Sequence, residues 1–397
     1  MRAQSVAPMS IVSRFFVALA KASPPLCNQM VLEGKGSIDI KAWREAIHTA
    51  SAQNPGSRFI LKGRLKSCRW VDSEVPPPIR EVEGDGWDGQ GSQRAPFLLS
   101  PLDPFKGPTC ELLVIHGNPL RIVFRTHHGV MDGMGTITWA EDIFNALNGR
   151  PVRGSITSIV EDDLLNLSPS VQKPTPQDSI PVCGGGKKNE SGMRWRRTRI
   201  TGRFNRLLPQ VVMGVAREAW RHHDGPVRIG VPVDLRPRRE GLRSTNNLTS
   251  VFILTITPSM GEEDIAAEIR RRLAEKNDGA YTWEDKLVQY LPLGLLQMGL
   301  EMEIRKNHKR ERYRHTGFIS NLGRLPMDQF TGGGFAPETF FFIPPTMATL
   351  PFSMTINGTG DHVELLASMP STFGSEERLD ALLQRIASSV KGAEQND

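Results

Sequence analysis

Residues 125 to 135, RTHHGVMDGMG, contain the histidine pair His127 and His128, with three residues between His128 and Asp132. A neutral imidazole, with an ordinary pKa of about 6.5, can take a proton from a hydroxyl or an amine near neutral pH. With 9 His and 37 Gly in 397 residues, this spaced motif would arise by chance in roughly one such chain in a thousand. A second doublet, RHHDGP at 221–226, lacks the spacer, follows a predicted helix and opens a loop. We interpret it as a solvated helix end and use it as an internal comparison.

The flanking pattern predicts a strand-to-helix turn at the motif. Apolar runs at 111–116 and 120–126 surround Gly117-Asn118-Pro119, which is typical of a β-hairpin. After the motif, apolar residues recur at helical spacing until Gly149 and Pro151. At such a turn the side chains can be exposed and the amides of the helix point outward. Because neighbouring residues of an extended segment face opposite sides, only one of the two histidines can face a substrate channel beside this segment.

Other parts of the N-terminal half alternate between helix and strand. A helix is predicted over 37–55, with Asp39 as its cap and Asn54-Pro55 as its end. Short strands are predicted within 58–71, and the Pro-, Gly- and Asp-rich run 72–96 is predicted to be a long surface loop. The N-terminal IVSRFFVALAKAS has a short apolar core interrupted by Arg14, so we expect a first strand or helix of the fold rather than a signal peptide.

The C-terminal half has the same mixed pattern. Helices are predicted over 207–222 and roughly 284–307, and strands over 227–237 and 248–258. Ser259 begins an S-x-x-E capping box, and the helix after it should bury Ile265, Ala266, Ile269 and Leu273. Later strands are predicted in GFISNLG, PFSMTING and HVELLASM, and a last helix carries Leu379, Leu382, Leu383, Ile386 and Val390.

Length and composition favour a globular protein with two lobes. Residues 168–192, rich in Pro, Ser, Gly and Lys, are predicted to be a crossover between an N-terminal lobe, 1–167, and a C-terminal lobe, 193–397. The net charge of +6 is mild for 397 residues, so we expect no nucleic-acid partner. No apolar run approaches the ~20 residues of a membrane span. The dispersed cysteines show no metal spacing and indicate a reducing, cytoplasmic compartment. They are Cys27, Cys68, Cys110 and Cys183.

HHGVMDG resembles the HHxxxDG signature of the chloramphenicol-acetyltransferase-like superfamily. This superfamily includes the condensation domains of nonribosomal peptide synthetases and the wax-ester synthase-like acyltransferases. The similarity runs from about residue 30 to the end. It is carried by the order of IDIKAWREAIHTASAQNPGSRFI, SPLDPFKGPTCELLVI, HHGVMDG, VPVDLRPRREGLRSTNNLTSVFILTI and FISNLGRLP. The chain departs from these relatives in showing no DFGWG-type motif and no recognisable carrier-protein or adenylation segment.

The resemblance implies an α/β (α+β) fold of two chloramphenicol-acetyltransferase-like lobes in a V arrangement, with a channel between them. It assigns the catalytic histidine to His128 and leaves His127 to orient the turn. Asp132 would then be a salt-bridge partner rather than a proton carrier, and its cation would be Arg58, at the "NP-x-x-R" position. Gly133 would permit close approach of the backbone to the channel. Three polar residues beside predicted strands are candidate oxyanion or channel contacts, with a structural role as the alternative: Asn247, Ser320 and Asn321.

The resemblance further implies transfer of an acyl group from a thioester to an amine or an alcohol, without a permanently bound cofactor or metal. The donor would be the acyl thioester of phosphopantetheine on a carrier protein acting in trans, and a coenzyme A-dependent O- or N-acyltransferase is the first alternative. A non-catalytic module that recruits partner enzymes is the second alternative, and the intact motif argues against it. The basic stretches 305–315 and 236–243 could receive phosphates or an acidic carrier surface, or could be ordinary solvated charge.

Overall fold

Three β-sheets and the helices packed on them form the described part of the chain. The computed structural model describes residues 6–84, 86–165, 178–183, 192–204, 206–276, 287–345 and 347–394. The helices are α1 Ile11–Ala22, α2 Ile40–Gln53, α3 Gly133–Leu147, α4 Leu207–Trp220, α5 Glu262–Glu275, α6 Leu293–Arg310 and α7 Glu376–Glu394. The strands are β1 Val6–Pro8, β2 Cys27–Gly36, β3 Phe59–Lys62, β4 Arg69–Asp72, β5 Ile79–Glu83, β6 Cys110–His116, β7 Leu120–His127, β8 Met193–Thr201, β9 Val227–Asp234, β10 Thr249–Ile256, β11 Gly317–Arg324, β12 Phe335–Ile343, β13 Ser353–Thr359 and β14 His362–Pro370.

The sheets connect the two halves of the sequence. The N-terminal sheet has the order β12-β2-β7-β6-β5, the C-terminal sheet has the order β10-β9-β11-β13-β14-β8, and a small sheet has the order β1-β4-β3. Strand β12 belongs to the C-terminal half of the sequence but pairs antiparallel with β2, through Phe340↔Leu32 among other residues. The fold class predicted from the sequence, α/β with mixed strands and helices in both halves, is confirmed. Most of the proposed crossover 168–192 lies outside the described residues, so the lobe boundaries and the V arrangement stay predictions.

The elements around the histidine motif form as their sequence predicts. Strands β6 and β7 pair as an antiparallel hairpin, with Cys110 opposite Thr126. All residues of β7 are buried, since it lies inside the sheet between β2 and β6. Helix α3 follows directly and packs against α2, where Trp43 and Phe144 meet edge to face with 5.3 Å between ring centroids. Asp39 caps α2 through the amide of Lys41 at 3.0 Å, which confirms the predicted cap.

Three local predictions are wrong. The segment 72–96 is not one surface loop, because β5 pairs parallel with β6 and Trp87 is buried beneath Arg121. The capping box at Ser259 does not form, since α5 begins three residues later, after Gly261, and the Asp264 carboxylate accepts the amide of Gly261 at 2.8 Å. Leu273 of that helix is 48% exposed rather than buried.

The remaining helices and strands of the C-terminal half differ from expectation in three places, one of which is strand β8, for which the sequence analysis predicted no element. Helix α6 begins at Leu293, after Pro292, rather than near residue 284, and residues 284–286 lie outside the described part. Strand β12 was not predicted at all. The strands β9, β10, β11, β13 and β14 and the last helix lie where the sequence predicts them. No helix in the described residues is long and apolar enough to cross a membrane.

Candidate functional site

The histidine turn is fixed by backbone hydrogen bonds from both sides. The amide of His127 donates to the carbonyl of Thr109 at 2.8 Å, and the amide of His128 donates to the carbonyl of Leu26 at 3.2 Å. The amide of Val130 then closes the turn on the carbonyl of His127 at 2.8 Å. These bonds set the direction in which the two imidazoles leave the chain.

His127 points into the protein. Its side chain is buried, and Nδ1 accepts a hydrogen bond from the amide of Gly129 at 3.0 Å. Burial, with a smaller contribution from His128, lowers the pKa of His127 to about 4. The ring is therefore neutral at pH 7, with its proton on Nε2 because Nδ1 is an acceptor. In this position His127 can orient the turn but cannot reach a substrate.

His128 lines a cavity on the opposite side of the strand. Its ring stacks on Phe16 of α1, with 4.0 Å between centroids and 11° between planes. Burial lowers the pKa of His128, although the charge of Asp132 opposes this shift. Since Nδ1 is enclosed by protein, Nε2 is the nitrogen that can face the cavity. A neutral imidazole held in this way can accept a proton from an acceptor group near neutral pH.

Asp132 caps α3 and receives hydrogen bonds from both halves of the chain. Its Oδ1 accepts the amide of Gly135 at 2.7 Å and Arg236 Nη2 at 2.9 Å. Its Oδ2 accepts the amide of Leu248 at 2.8 Å, the hydroxyl of Thr249 at 2.9 Å and Arg236 Nη1 at 3.1 Å. Burial alone would raise the pKa of Asp132, but the charge and hydrogen bonds of Arg236 outweigh it and hold this pKa below its ordinary value.

The expected pairing of Asp132 with Arg58 is wrong. Arg58 instead binds Asp72, the last residue of β4, at 2.5 Å. Arg58 precedes β3, which pairs with β4 in the small sheet, so the nearest carboxylate comes from that sheet. The cation of Asp132 comes from Arg236, which is 104 residues further along the chain.

Arg236 belongs to the basic stretch 236–243, in which Arg236 is buried, Arg243 is half-buried, and Pro237, Arg239, Glu240 and Gly241 are exposed. All five N–H groups of Arg236 are used, on Asp132, Asp234 and the carbonyls of Ser244 and Asn246. At the other end of the stretch, Arg243 Nη1 binds Asp142 in the middle of α3 at 2.8 Å. Two arginines seven residues apart thus hold two carboxylates of one helix. The interpretation of this stretch as a phosphate-binding or solvated surface is wrong for both arginines.

Asn247 connects the segment after this stretch to the histidine. Its Nδ2 donates to the carbonyl of His128 at 2.9 Å, so the C-terminal half holds the turn at a second point. Gly133, the first residue of α3, lines the cavity, and a methyl group added there would lie 3.3 Å from Leu322. A close approach between two backbone segments occurs at Gly135, where an added methyl group would lie 2.2 Å from the carbonyl of Thr245.

The cavity has a volume of about 400 Å³ and receives side chains from both halves of the sequence. Its walls are mainly apolar, with a smaller polar wall that includes Asn247, Ser320 and Asn321. No group of acidic, histidine or cysteine side chains in the described residues could hold a metal ion. The four cysteines are buried free thiols. The residues that line the cavity include Val12, Phe16, His128, Gly133, Phe318, Leu322, Phe342, Ile343, Met347 and Met354.

Two residues of the site were not found from the sequence. Phe16 lies in the N-terminal apolar run, which gave no sign of an aromatic partner for His128. Arg236 stands in VPVDLRP, a segment that resembles the second lobe of the superfamily, but its charge was assigned to the protein surface. The only available signal for Arg236 was its place at the end of the predicted strand 227–237.

No family model matches the chain, and no curated protein sequence matches it. Solved structures do. A mutant starter condensation domain of the rhizomide synthetase RzmA, in complex with C8-CoA and Leu-SNAC, superposes with a TM-score of 0.65 at 13% identity, over 96% of this chain and 93% of that one. TRI3 trichothecene 15-O-acetyltransferase from Fusarium sporotrichioides gives 0.63 at 12% identity, over 98% and 94%.

The condensation domain of the monacolin K polyketide synthase MokA gives a TM-score of 0.61 at 11% identity, over 99% of this chain and 98% of that one. Identities this low establish the fold rather than the substrate. The chain therefore has the fold of these condensation domains and of this acetyltransferase. The expected resemblance is confirmed at the level of the fold.

Proposed function

We propose that the protein is a condensation-like acyltransferase that joins an acyl group to an amine or a hydroxyl. The observation that carries this proposal is the position of His128, a neutral imidazole on the wall of a large cavity, held by Phe16 and by Asn247. A general base needs this combination of access, orientation and lowered pKa. A pure recruitment module needs none of it.

The proposed reaction requires no covalent enzyme intermediate, because a thioester donor is already activated. The acceptor O–H or N–H attacks the thioester carbonyl while His128 Nε2 takes the proton. The C–S bond then breaks, and the imidazolium returns the proton to the leaving thiolate. Asp132, fully engaged with Arg236 and three other donors, takes no part in proton transfer in this proposal.

For the donor we propose a carrier-bound phosphopantetheine thioester, in natural-product biosynthesis, and we keep coenzyme A as the alternative. The coenzyme A alternative has support of its own, since RzmA was solved with C8-CoA and TRI3 is described as an O-acetyltransferase. Both donors present the same acyl thioester to the cavity. The apolar character of most of the wall favours an apolar acyl group or an apolar acceptor.

The test is acyl transfer from octanoyl-coenzyme A and from an octanoylated carrier protein, with a panel of amine and alcohol acceptors. His128→Ala should reduce the rate at saturating donor by about 10²–10⁴-fold. His222→Ala is the matched control, because His222 lies at an exposed helix end and contacts Glu218 at 3.4 Å. Equal rates for His128→Ala and the wild type with a verified acceptor would contradict the proposal. A preference for one donor decides between the carrier protein and coenzyme A.

A further inference from the structure

Helix α6 exposes an apolar stripe that has no partner in the described residues. Leu295, Met298 and Met302 are 52%, 53% and 64% exposed. They are spaced by three and four residues, so they project from one side of the helix. Their exposure contrasts with the opposite side, where Leu296, Leu300 and Ile304 pack on α1 and on Met347. The helix is thus apolar on two opposite sides, and the internal core explains only one of them.

Cations continue the exposed stripe toward the end of the helix. Arg305 and Lys309 are exposed and lie three and seven residues beyond Met302, on the same side of α6. The only acidic residues of the helix, Glu301 and Glu303, lie on its flanks, and Glu303 is neutralised by Arg314 at 3.0 Å. We call the exposed side formed by Leu295, Met298, Met302, Arg305 and Lys309 the α6 ridge.

A second basic segment lies at the other end of the ridge. The side chain of Lys66 lies over the ring of Tyr290, 5.3 Å from its centroid, and donates to its hydroxyl at 3.1 Å. Lys62, Arg64 and Lys66 are exposed, and the segment 60–71 contains no acidic residue. Arg14 of α1 joins this segment to the turn that precedes α6, since its guanidinium donates to the carbonyls of Leu65 and Gln289. The apolar stripe is therefore flanked by cations at both ends.

We propose that the α6 ridge docks on the surface of an anionic lipid bilayer. Exposed Leu, Met and Tyr side chains flanked by Lys and Arg have the composition of a helix that lies in the interface of a membrane. The apolar part of the ridge, from Leu295 to Met302, is a single convex helix side about 10 Å long. A protein partner of ordinary affinity needs about 800 Å² of complementary surface on each side, whereas a bilayer accepts a narrow convex insertion. The charge of both flanks fits anionic rather than zwitterionic lipid.

The position of the ridge connects this surface to the cavity. The inner side of α6 packs on α1, which supplies Val12 and Phe16 to the cavity wall, and on Met347, which also lines the cavity. Docking through the ridge would therefore place α6 on the lipid, with the α1 wall of the cavity directly behind it. Lipid docking goes beyond the proposed acyl transfer and does not depend on it.

Vesicle co-sedimentation of the full chain tests the proposal. Wild-type protein should sediment with vesicles of phosphatidylcholine and phosphatidylglycerol (3:1), and less at 0.5 M NaCl or with phosphatidylcholine alone. The triple variant Leu295→Ser, Met298→Ser, Met302→Ser should lower the partition coefficient on the order of a hundredfold. Arg305→Gln with Lys309→Gln should lower it on the order of tenfold, for anionic vesicles only.

The matched control replaces three apolar residues that are exposed elsewhere, Val75→Ser, Ile156→Ser and Leu273→Ser, and should sediment like the wild type. Far-UV circular dichroism and thermal unfolding show whether each variant is folded. Wild-type protein that stays in the supernatant with anionic vesicles overturns the proposal, as does a ridge variant that sediments normally. A wild-type dimer that the ridge substitutions convert to a monomer also overturns it, because a second copy would then cover the ridge.

Discussion

The pairing of Asp132 with Arg236 can be tested by a double-mutant cycle. Asp132→Asn removes the charge but keeps a side chain that can cap α3. In the structure this substitution leaves the buried guanidinium of Arg236 with only Asp234 as a carboxylate partner. Removing one member of a buried ion pair costs about 3–5 kcal/mol, since the other charge remains desolvated. We therefore expect Asp132→Asn to lower the free energy of unfolding by about 4 kcal/mol.

Thermal unfolding and urea titration measure this loss. With an unfolding entropy of about 2.1 cal/mol/K per residue, a loss of about 4 kcal/mol in 397 residues corresponds to a decrease of about 5 °C in Tm. Arg236→Gln should cost a similar amount. In the double variant both charges are gone, so the two losses should fall short of additivity by about 2–3 kcal/mol.

Arg58 supplies the control for the cycle. Because Arg58 binds Asp72 and not Asp132, Arg58→Gln and Asp132→Asn should be additive within about 0.5 kcal/mol. Additive losses for Asp132→Asn and Arg236→Gln, together with coupling between Asp132 and Arg58, would refute the pairing seen in the structure. The same outcome would restore the pairing that the family resemblance implied.

Three further outcomes follow from the site. Burial lowers the pKa of His128. Because a general base must be neutral, the acid limb of the pH–rate profile should lie below pH ~6.5. An acid limb above that pH would contradict this prediction. Gly135→Ala should destabilise the fold far more than Gly133→Ala, measured as Tm, because its methyl group would lie 2.2 Å from the carbonyl of Thr245. Burial raises the pKa of Glu161 to about 7, above its unfolded value of about 4.3, so wild-type stability should fall as pH rises between these values. Glu161→Gln should therefore raise Tm at pH 8 and lose this advantage toward pH 4, and an equal effect at both pH values would contradict the assignment.

Local structure around the motif could be predicted because its signals are local. The hairpin follows from two apolar runs around a Gly-Asn-Pro turn, and α3 follows from apolar spacing after the motif. Asp39 caps α2 through the amides next to it in sequence. Each of these features depends on residues that are close to one another in the sequence.

Contacts between residues far apart in the sequence could not be predicted, because the sequence alone does not show which segments lie close together in the fold. Arg58 follows a predicted helix and Arg236 lies at the end of a predicted strand, and only the tertiary fold places one of them against Asp132. Strand β12 was not predicted for a different reason. It contains Pro337, which is unusual inside a strand, and tolerates it at a register shift between Pro337 and Thr339 on the edge of the sheet.

Residues from both halves of the chain form the site, so neither half alone contains the complete site. The N-terminal half supplies His128, but its carbonyl is held by Asn247 and the following Asp132 by Arg236, Leu248 and Thr249. Without the C-terminal half, Asp132 would keep only the bond from Gly135 and would lose the charge that stabilises its ionised form. The cavity would also lose the wall formed by β10, β11 and β13. The direction of the His128 imidazole is thus set by contacts between sequence-distant segments, so substitutions in residues 236–249 should alter the site even where they touch no substrate.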